Sequence, residues 1–320
     1  MTTQDKRRAA LAVVERCARE VPQLAEATAV QGLVASLCAD VDDIQGGPDD
    51  RPYFTRTMTR IAHVVRSHGW VDVATATLEW AMTRGALDGY VLSELAECHI
   101  ARADLAAAEA TLHCARSARL PTDAIYTSLV KAHARCGNTT GARAIFDRAQ
   151  EEGAVTSFTY PALIAAYAAT GNAAEARRVF ECARRDGQLS PPAFAALASA
   201  CVAGGDLDGV DVLLREATAA GHASVRLTLT AIRGWLGQRR FAEARRVLEQ
   251  ARASGMTDDA CYVAIIVACH KAGRHREAKR VFLSAASDTR LGPDEHRRIK
   301  HAHTRTRRTA GDDGGRGIAA

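Results

Sequence analysis

The stretch that decides the fold is Ser157–Ser190, which reads SFTYPALIAAYAATGNAAEARRVFECARRDGQLS. Its first half places apolar residues at helical spacing on one face of an amphipathic helix: Tyr160, Leu163, Ile164 and Tyr167. Gly171 then breaks the pattern, because glycine readily adopts the φ > 0 conformation that ends helices. The second half carries another apolar face and ends at Gly187: Ala176, Phe180 and Ala183. The stretch therefore predicts a hairpin of two helices, 34 residues long.

The rest of the chain repeats this hairpin with a fixed period. Seven copies, spaced 34 residues apart, begin at Thr55, Gly89, Asp123, Ser157, Pro191, Val225 and Asp259. One position of the second helix is alanine in every copy: Ala81, Ala115, Ala149, Ala183, Ala217, Ala251 and Ala285. The residue three positions earlier is always large and apolar: Leu78, Leu112, Phe146, Phe180, Leu214, Leu248 and Phe282. Small residues let helix axes approach closely and large ones fill the space between them, so these columns predict where neighbouring hairpins pack.

The period predicts an all-α fold, an α-solenoid (right-handed superhelix) of about seven 34-residue hairpins with helical caps. Residues 1–54 do not match the repeat and predict an N-terminal cap, with helices over about 5–20 and 22–38 and an acidic loop over 40–50. The seven copies occupy residues 55–292. Residues 293–308 predict a basic C-terminal cap helix, and the glycine-rich end, 309–320, predicts a disordered tail.

Composition limits the class of protein further. Hydrophobic residues make up 47% of the chain and aromatic residues only 5%, so alanine supplies much of the apolar surface. The nine cysteines form no CxxC pair and their number is odd, which favours reduced thiols in an intracellular compartment over a disulfide framework. No apolar run reaches the roughly 18 residues that a membrane span requires. We therefore expect no membrane partner.

Signals for chemistry are missing from the sequence. There is no glycine-rich phosphate loop, paired carboxylate motif or nucleophile elbow, so we expect no enzyme, no catalytic residue, no cofactor and no small-molecule substrate. Cysteine and histidine are adjacent at Cys98–His99 and Cys269–His270, but neighbouring residues on a helix point about 100° apart. Because no four-ligand spacing occurs either, the sequence predicts no metal site.

Three copies carry motifs of a known repeat family. They contain YTSLVKAHARCG, YPALIAAYAATG and YVAIIVACHKAG, and two of them continue with EARRVF (175–180) and EAKRVF (277–282). With the glycine between the helices and the late glycine, these copies resemble the pentatricopeptide repeat, and the resemblance covers residues 55–292. The tetratricopeptide repeat, a protein-interaction scaffold, is the alternative. Its usual proline after the second helix is absent here, whereas the alanine column is typical of it.

The resemblance to pentatricopeptide repeats implies a groove of first helices that binds single-stranded RNA, with one base read per copy by two side chains. The pairs with polar side chains at both positions are Thr59 with Asp88, Ser93 with Thr122, and Thr127 with Thr156. In the later copies the first position offers no side-chain hydrogen bond to a base: Pro161, Ala195, Leu229 and Val263. By the same resemblance, Tyr90 and Phe158 would stack on bases, and Arg135 and Lys271 would meet phosphate.

The net charge of +5 is concentrated at the C-terminus, where residues 295–320 contain seven basic and three acidic residues. Arg297, Arg298 and Lys300 of this segment are further candidates for RNA contact, because phosphate neutralisation supplies much of nucleic-acid affinity. The expected function is that of an RNA-binding adaptor in RNA processing, stability or translation. The alternative is a scaffold whose groove takes a peptide or helix of an assembly partner.

The family resemblance also implies a mitochondrial or plastid location. The first twenty residues contain Asp5, Glu15 and Glu20, which do not suit a transit peptide, so a cytoplasmic location stays open.

Overall fold

The computed structural model describes residues 3–44 and 51–313, and these residues form 17 α-helices and no strand. The helices follow the apolar periodicity of the sequence, so the all-α prediction is confirmed. All seven predicted hairpins are present.

Each hairpin, numbered 1 to 7, consists of a first and a second helix. The first helices are α3 (Arg51–Ser67), α5 (Gly89–Ala101), α7 (Asp123–Arg135), α9 (Thr159–Ala169), α11 (Pro191–Ala203), α13 (Val225–Gly237) and α15 (Asp259–Lys271). The second helices are α4 (Val71–Thr83), α6 (Leu105–Ser117), α8 (Thr139–Glu151), α10 (Ala173–Arg185), α12 (Leu207–Ala219), α14 (Phe241–Ala253) and α16 (His275–Ala286). The remaining helices are α1 (Thr3–Glu20), α2 (Ala27–Ile44) and α17 (Pro293–Asp313), with a short 3₁₀ turn at Val21–Gln23.

The helices group into two units, residues 1–159 and residues 160–320. In the first unit α1 packs on α3, α3 on α5, and α5 on α7. In the second unit α11, α13, α15 and α17 pack on one another in the same order. In both units, then, first helices form a layer, and most of them also pack against the second helix of their own hairpin.

The alanine column lies in the core, as its pattern predicts. Six of its members are only 0–1% exposed, and Ala251 is 9% exposed. Large side chains of the column three residues earlier fill the space beside them, and Leu78, Leu112 and Phe180 are completely buried. Because interiors are close-packed, this alternation of small and large residues fixes how closely successive hairpins approach.

The turns between helices require left-handed backbone. Ten of the glycines that the structure describes have positive φ, among them Gly137, which follows α7 with φ 70°. Three other residues adopt the same conformation without being glycine: Ala103 (φ 61°), Arg119 (φ 55°) and Arg239 (φ 58°). They stand where other copies have the turn glycine, so hairpin geometry imposes the conformation even on residues that disfavour it.

The N-terminal region differs from its predicted boundaries. The second helix was expected over 22–38, but Pro22 lies in the 3₁₀ turn and α2 runs to Ile44. The helix continues through the start of the expected acidic loop because buried Val41 extends an apolar stripe that includes Val30 and Val34. The rest of that loop, residues 45–50, lies outside the described residues. The first copy also begins earlier than Thr55, since α3 starts at Arg51.

The C-terminal cap helix is longer than the predicted 293–308, because α17 extends to Asp313. A helix that has already formed extends at little cost, so α17 continues past position 308 although Thr309 and Gly311 are poor helix formers. Ile299 and Ala302 of α17 are buried, so the helix covers the last hairpin with an apolar face. The first five residues of the predicted disordered tail are therefore helical, and residues 314–320 lie outside the described part of the chain.

Candidate nucleic-acid interface

Two aromatic side chains project from the first unit. Tyr90, near the start of α5, is 70% exposed, and Phe158, just before α9, is 65% exposed. Both are the second residue of their copy. Among the large apolar side chains that are exposed within the described ranges, only these two are aromatic. An exposed aromatic ring costs solvation free energy, and this makes the pair a candidate contact surface.

The first reading position of each pair lies on a first helix, and its hydroxyl is already bonded. Thr59 donates to the carbonyl of Thr55 at 2.8 Å, and Ser93 donates to the carbonyl of Gly89 at 2.6 Å. Both side chains are half-buried. Thr127 is buried, and its hydroxyl lies 2.9 Å from that of Thr159. A base would reach Thr127 only if that hydrogen bond opened.

The last residue of a copy lies next to the helix that follows, and in several copies it caps that helix. Asp88 Oδ1 accepts hydrogen bonds from the backbone N–H groups of Tyr90 and Val91, both at 2.9 Å. Asp258 accepts from the backbone N–H of Cys261 at 3.0 Å. Helix capping thus explains aspartate at this position on structural grounds, whether or not the side chain contacts a base. Sequence reasoning missed this role, although an aspartate, serine or threonine directly before a helix is its usual signal.

Threonines end the second and third copies. Thr122 is the N-cap residue of α7, but its side chain makes no capping hydrogen bond. Thr156 Oγ1 accepts a 3.3 Å hydrogen bond from the backbone N–H of Phe158 and lies 3.2 Å from Thr159 Oγ1. Thr156 therefore helps to hold the backbone that carries the exposed ring of Phe158.

The reading positions without polar groups lie in the second unit. Pro161 and Ala195 are buried, and Leu229 and Val263 are half-buried. Neither group presents a hydrogen-bonding side chain to the surface of the first helices.

Cations on the first helices are exposed, and several make no ion pair within the described part of the chain. In the first unit these are Arg56, Arg60, Lys131 and Arg135, and in the second unit Arg226, Arg233 and Lys271. Two carboxylates on this layer are paired with arginine: Glu94 accepts from Arg66 Nε at 2.6 Å, and Asp259 accepts from Arg298 Nε at 2.6 Å. Asp123, at the start of α7, is exposed and makes no ion pair with a described residue. The first helices therefore present unneutralised positive charge.

Many cations on the second helices are neutralised instead. Arg143 pairs with Asp147 at 2.8 Å, and Arg184 pairs with Glu216 on the neighbouring second helix at 2.5 Å. Further pairs join Arg148 with Glu109, Arg245 with Glu249, and Arg246 with Asp211. Ion pairs thus neutralise part of the positive charge on the second helices.

The three predicted basic residues of α17 differ in whether they form an ion pair. Arg298 makes a bidentate contact with Asp259, at 2.6 and 3.2 Å, which ties α17 to the start of α15. This hydrogen bonding raises the pKa of Arg298 above its ordinary value. Arg297 pairs with Asp294 on its own helix. Lys300 is exposed and makes no ion pair with a described residue.

Three histidines meet where α17 joins hairpin 7. His270 Nδ1 lies 3.0 Å from His275 Nδ1, and His270 Nε2 lies 3.0 Å from His303 Nδ1. His303 also stacks on Phe282 with ring centroids 4.6 Å apart. His270 uses a different nitrogen for each neighbour, so the three rings do not converge on one point. Within the described residues no cluster of histidine, cysteine or carboxylate side chains could hold a metal ion.

A membrane span requires a helix of about 18 or more predominantly apolar residues. None of the described helices is both long enough and apolar enough to cross a bilayer.

Comparison with known families identifies part of the repeat. The family model described as PPR repeat matches residues 124–153, 158–188 and 260–284. These ranges fall in hairpins 3, 4 and 7, the copies whose motifs show the resemblance in the sequence. No curated protein matches the chain by sequence.

Solved structures show the same architecture. The chain aligns with the pentatricopeptide repeat protein PPR10 in complex with an 18-nt psaJ RNA element, with a TM-score of 0.57 and 18% identity, over 88% of this chain and 44% of that one. A cysteine-to-serine variant of PPR10 with the same RNA element gives the same values. PPR10 from maize aligns with a TM-score of 0.49 and 20% identity, over 93% of this chain and 43% of that one. The chain therefore spans less than half the length of these proteins.

At such identities the likeness to the two RNA complexes concerns the fold, and it confirms the α-solenoid prediction. The matched ranges add the repeat type. Three hairpins of this α-solenoid match the pentatricopeptide repeat model.

Proposed function

We propose that this chain binds single-stranded RNA through the surface of its first helices. The observation that carries the proposal is the exposure of Tyr90 and Phe158 at the same position of two copies in one unit. Stacking on aromatic side chains is the main sequence-tolerant contact to single-stranded bases, because every base has a π face. The RNA element bound by the structurally similar PPR10 supports the proposal.

The distribution of charge also favours the surface of the first helices as the RNA-binding surface. Unpaired cations on first helices attract phosphate, whereas the ion pairs of the second helices cancel part of the attraction there. The predicted contacts to phosphate, Arg135 and Lys271, are both exposed. Lys300 adds an exposed cation on α17. Arg297 and Arg298 would contribute only by leaving their carboxylate partners.

The proposed binding has weak sequence preference. Asp88 caps α5, Thr127 is buried, and the positions from Pro161 onward are apolar, so few side chains are available to read base edges. The function that suits such a surface is that of an adaptor in RNA processing, stability or translation, without a catalytic step of its own. Thr59, Ser93, Thr122 and Thr156 are half-buried, and they are the polar groups best placed for what base preference there is.

The test is an anisotropy titration of a labelled, unstructured RNA oligonucleotide with the Tyr90→Ala/Phe158→Ala variant. Stacking contributes about 1–3 kcal/mol per base, so we expect affinity to fall at least about tenfold. The matched control is Val212→Ala/Leu283→Ala, which removes two exposed apolar side chains from second helices. The control should bind as the unchanged protein does. Equal affinity of all three proteins, or no RNA binding by any, would contradict the proposal.

A further inference from the structure

Hairpin 6 lacks a pair of side chains that fills the same place in other hairpins. In hairpin 7 the tyrosine ring of Tyr262 is buried, and its hydroxyl donates to Asp288. Hairpin 4 has the equivalent pair, Tyr160 and Asp186. At the corresponding positions, 34 residues before those of hairpin 7, hairpin 6 has Thr228 and Ser254. A whole aromatic ring is therefore missing there.

The missing ring leaves a pocket. A pocket of about 370 Å³ is lined by Leu214, Leu227, Thr228, Val247, Ala251 and Ser254, among others. Its presence explains why Ala251 is 9% exposed while the other alanines of its column are 0–1% exposed. In the remaining hairpins a methionine, leucine, phenylalanine or tyrosine occupies the position of Thr228, so only hairpin 6 has a small residue there: Met58, Leu92, Tyr126, Tyr160, Phe194 and Tyr262.

The pocket also contains a hydroxyl group that a ligand could contact. Thr228 is 3% exposed, and its hydroxyl makes no hydrogen bond with any described residue. A ligand with a donor or acceptor could form a hydrogen bond with this hydroxyl inside the pocket. Ser254 and Arg215 line the same pocket and offer further polar groups beside the apolar walls.

The size and chemistry suit one substituted aromatic ring. Small-molecule pockets in proteins begin at about 300 Å³, and they combine mostly apolar walls with a few polar groups. An apolar cavity of about 150 Å³ is already enough for benzene. A phenol ring would leave room for its attached backbone at the opening.

We propose that this pocket binds the tyrosine side chain of a partner polypeptide. Tyrosine is inferred because the chain places its own tyrosine in the equivalent space of hairpins 4 and 7. The partner must supply it, because hairpin 6 contains no tyrosine. The site lies among α12, α13 and α14 and does not depend on RNA binding.

The test is a titration of the full chain with N-acetyl-tyrosinamide and with the peptide Gly-Gly-Tyr-Gly-Gly, followed by NMR shifts of the Leu227 and Val247 methyl groups. Both probes should bind saturably. Filling the pocket with the pair of hairpin 7, in Thr228→Tyr/Ser254→Asp, should weaken binding by at least about tenfold. Thr228→Leu, which copies Leu92 of hairpin 2, is a second filling variant in case the first does not fold. The matched control, Thr230→Tyr, adds a tyrosine to α13 outside the pocket and should bind as the unchanged protein does.

Other occupants of the pocket give distinct results. Binding of N-acetyl-tyrosinamide without binding of the peptide would assign the pocket to free phenols and overturn the proposal. Stronger shifts with adenosine or uridine than with tyrosinamide would assign it to RNA bases and overturn it as well. Absence of saturable binding to the unchanged protein, or full binding by a folded filling variant, would have the same consequence.

Discussion

The hydroxyl of Tyr262, in the first turn of α15, donates a 2.7 Å hydrogen bond to Asp288, which lies 26 residues later beyond the end of α16. The bond joins the beginning of hairpin 7 to its end. Asp288 is buried and also accepts from the backbone N–H of Arg290 at 3.2 Å. Burial opposes ionisation of Asp288, but these hydrogen bonds and the nearby Arg252 outweigh it, so the pKa of Asp288 is below its ordinary value.

The same relationship separates the hairpins into two classes. Hairpins 3, 4 and 7 have a tyrosine at this position and a carboxylate 26 residues later: Tyr126 with Glu152, Tyr160 with Asp186, and Tyr262 with Asp288. The other hairpins have neither member: Met58 with Arg84, Leu92 with Ala118, Phe194 with Ala220, and Thr228 with Ser254. The first class coincides with the three ranges that match the PPR repeat model. Within this chain the tyrosine and the acid therefore occur together, and in hairpins 4 and 7 the acid accepts the hydrogen bond of the buried hydroxyl.

Replacement of Tyr262 by phenylalanine should destabilise the chain. The change keeps the ring but leaves the buried Asp288 without one hydrogen bond, and a lost hydrogen bond to a charged group costs about 1.5–3 kcal/mol. Urea unfolding followed by circular dichroism measures the effect. An unchanged midpoint would show that the bond contributes nothing net to stability.

Replacement of Asp288 by asparagine should alter the pH dependence of stability. A carboxylate with a lowered pKa in the folded state stabilises the fold above its ordinary value of 3.8, and this contribution disappears as the pH falls through the lowered pKa. The Asp288→Asn variant should therefore be less stable at pH 7 but lose less stability between pH 7 and acid. Unfolding midpoints measured across this range compare the two proteins, and parallel curves would contradict the assigned role.

Tyr126 of hairpin 3 gives the opposite expectation at neutral pH. Its hydroxyl is buried without a hydrogen-bond partner among the described residues, while Glu152 pairs with Arg116 at 2.7 Å. Removing an unsatisfied buried hydroxyl removes its desolvation cost, so Tyr126→Phe should be neutral or stabilising by about 1 kcal/mol at pH 7. The same urea experiment compares it with Tyr262→Phe, and a clear loss of stability would mean that the hydroxyl has a partner in solution.

Tyr126 should also lose its hydroxyl proton at a higher pH than an ordinary tyrosine does. Burial, together with the Glu152 carboxylate, raises the pKa of Tyr126 from 10.0 to about 12. A group whose pKa is raised in the folded state stabilises the fold at pH values below its ordinary pKa. This stabilisation is lost as the pH rises through the raised pKa. The unchanged protein should therefore lose stability above pH 10 that Tyr126→Phe retains.

Much of the fold could be predicted because one physical requirement recurs at a fixed spacing. Alanine in the second helix is needed wherever two hairpins pack closely, and the column from Ala81 to Ala285 gives the register without reference to coordinates. The N-terminal hairpin, α1 and α2, could not be placed in this way. Its helices are 18 residues long, where most others have 13, so the period fails although the packing of α1 on α3 continues the layer.

The candidate interface was predictable only in part. The positions of Tyr90 and Phe158 follow from the period, and both rings are exposed. Hydrogen bonds made across hairpins were not visible: the contact of Thr127 with Thr159 joins residues 32 apart, and the pair of Arg298 with Asp259 joins residues 39 apart. The sequence lists the charges, but their neutralisation depends on which helices lie side by side. The pocket of hairpin 6 could not be predicted, because the sequence does not show the volume that the missing aromatic ring leaves open.

Backbone strain at Ala103 offers a stabilising change. Ala103 has φ 61° at the turn where the next hairpin has Gly137, and a non-glycine residue there costs roughly 1–2 kcal/mol, part of which glycine's greater freedom in the unfolded chain offsets. Ala103→Gly should therefore raise stability by about 0.5–1 kcal/mol, measured as the unfolding midpoint in urea. The reverse change, Gly137→Ala, is the matched control. An added Cβ at Gly137 meets no atom within 4 Å, so its loss of stability would report the backbone alone. The same sign for both variants would contradict the argument.

Charge on the first helices should determine how RNA affinity depends on salt. Arg226, Arg233 and Lys271 are exposed and make no ion pair with a described residue. Each phosphate they neutralise would contribute about 0.7 to the slope of log affinity against log salt. Replacing all three by serine should therefore make the slope shallower by up to about 2 and weaken binding at low salt. Anisotropy titrations of one RNA oligonucleotide at several salt concentrations measure both effects.

The control for this prediction removes the same charge from the opposite face. Arg276, Lys279 and Arg280 are exposed cations of α16, a second helix, and none of them makes an ion pair with a described residue. Their replacement by serine changes the net charge of the chain by the same amount. If attraction to RNA came from net charge alone, the two variants would show the same slope. If the first helices hold the phosphates, only the variant with serine at positions 226, 233 and 271 becomes less sensitive to salt.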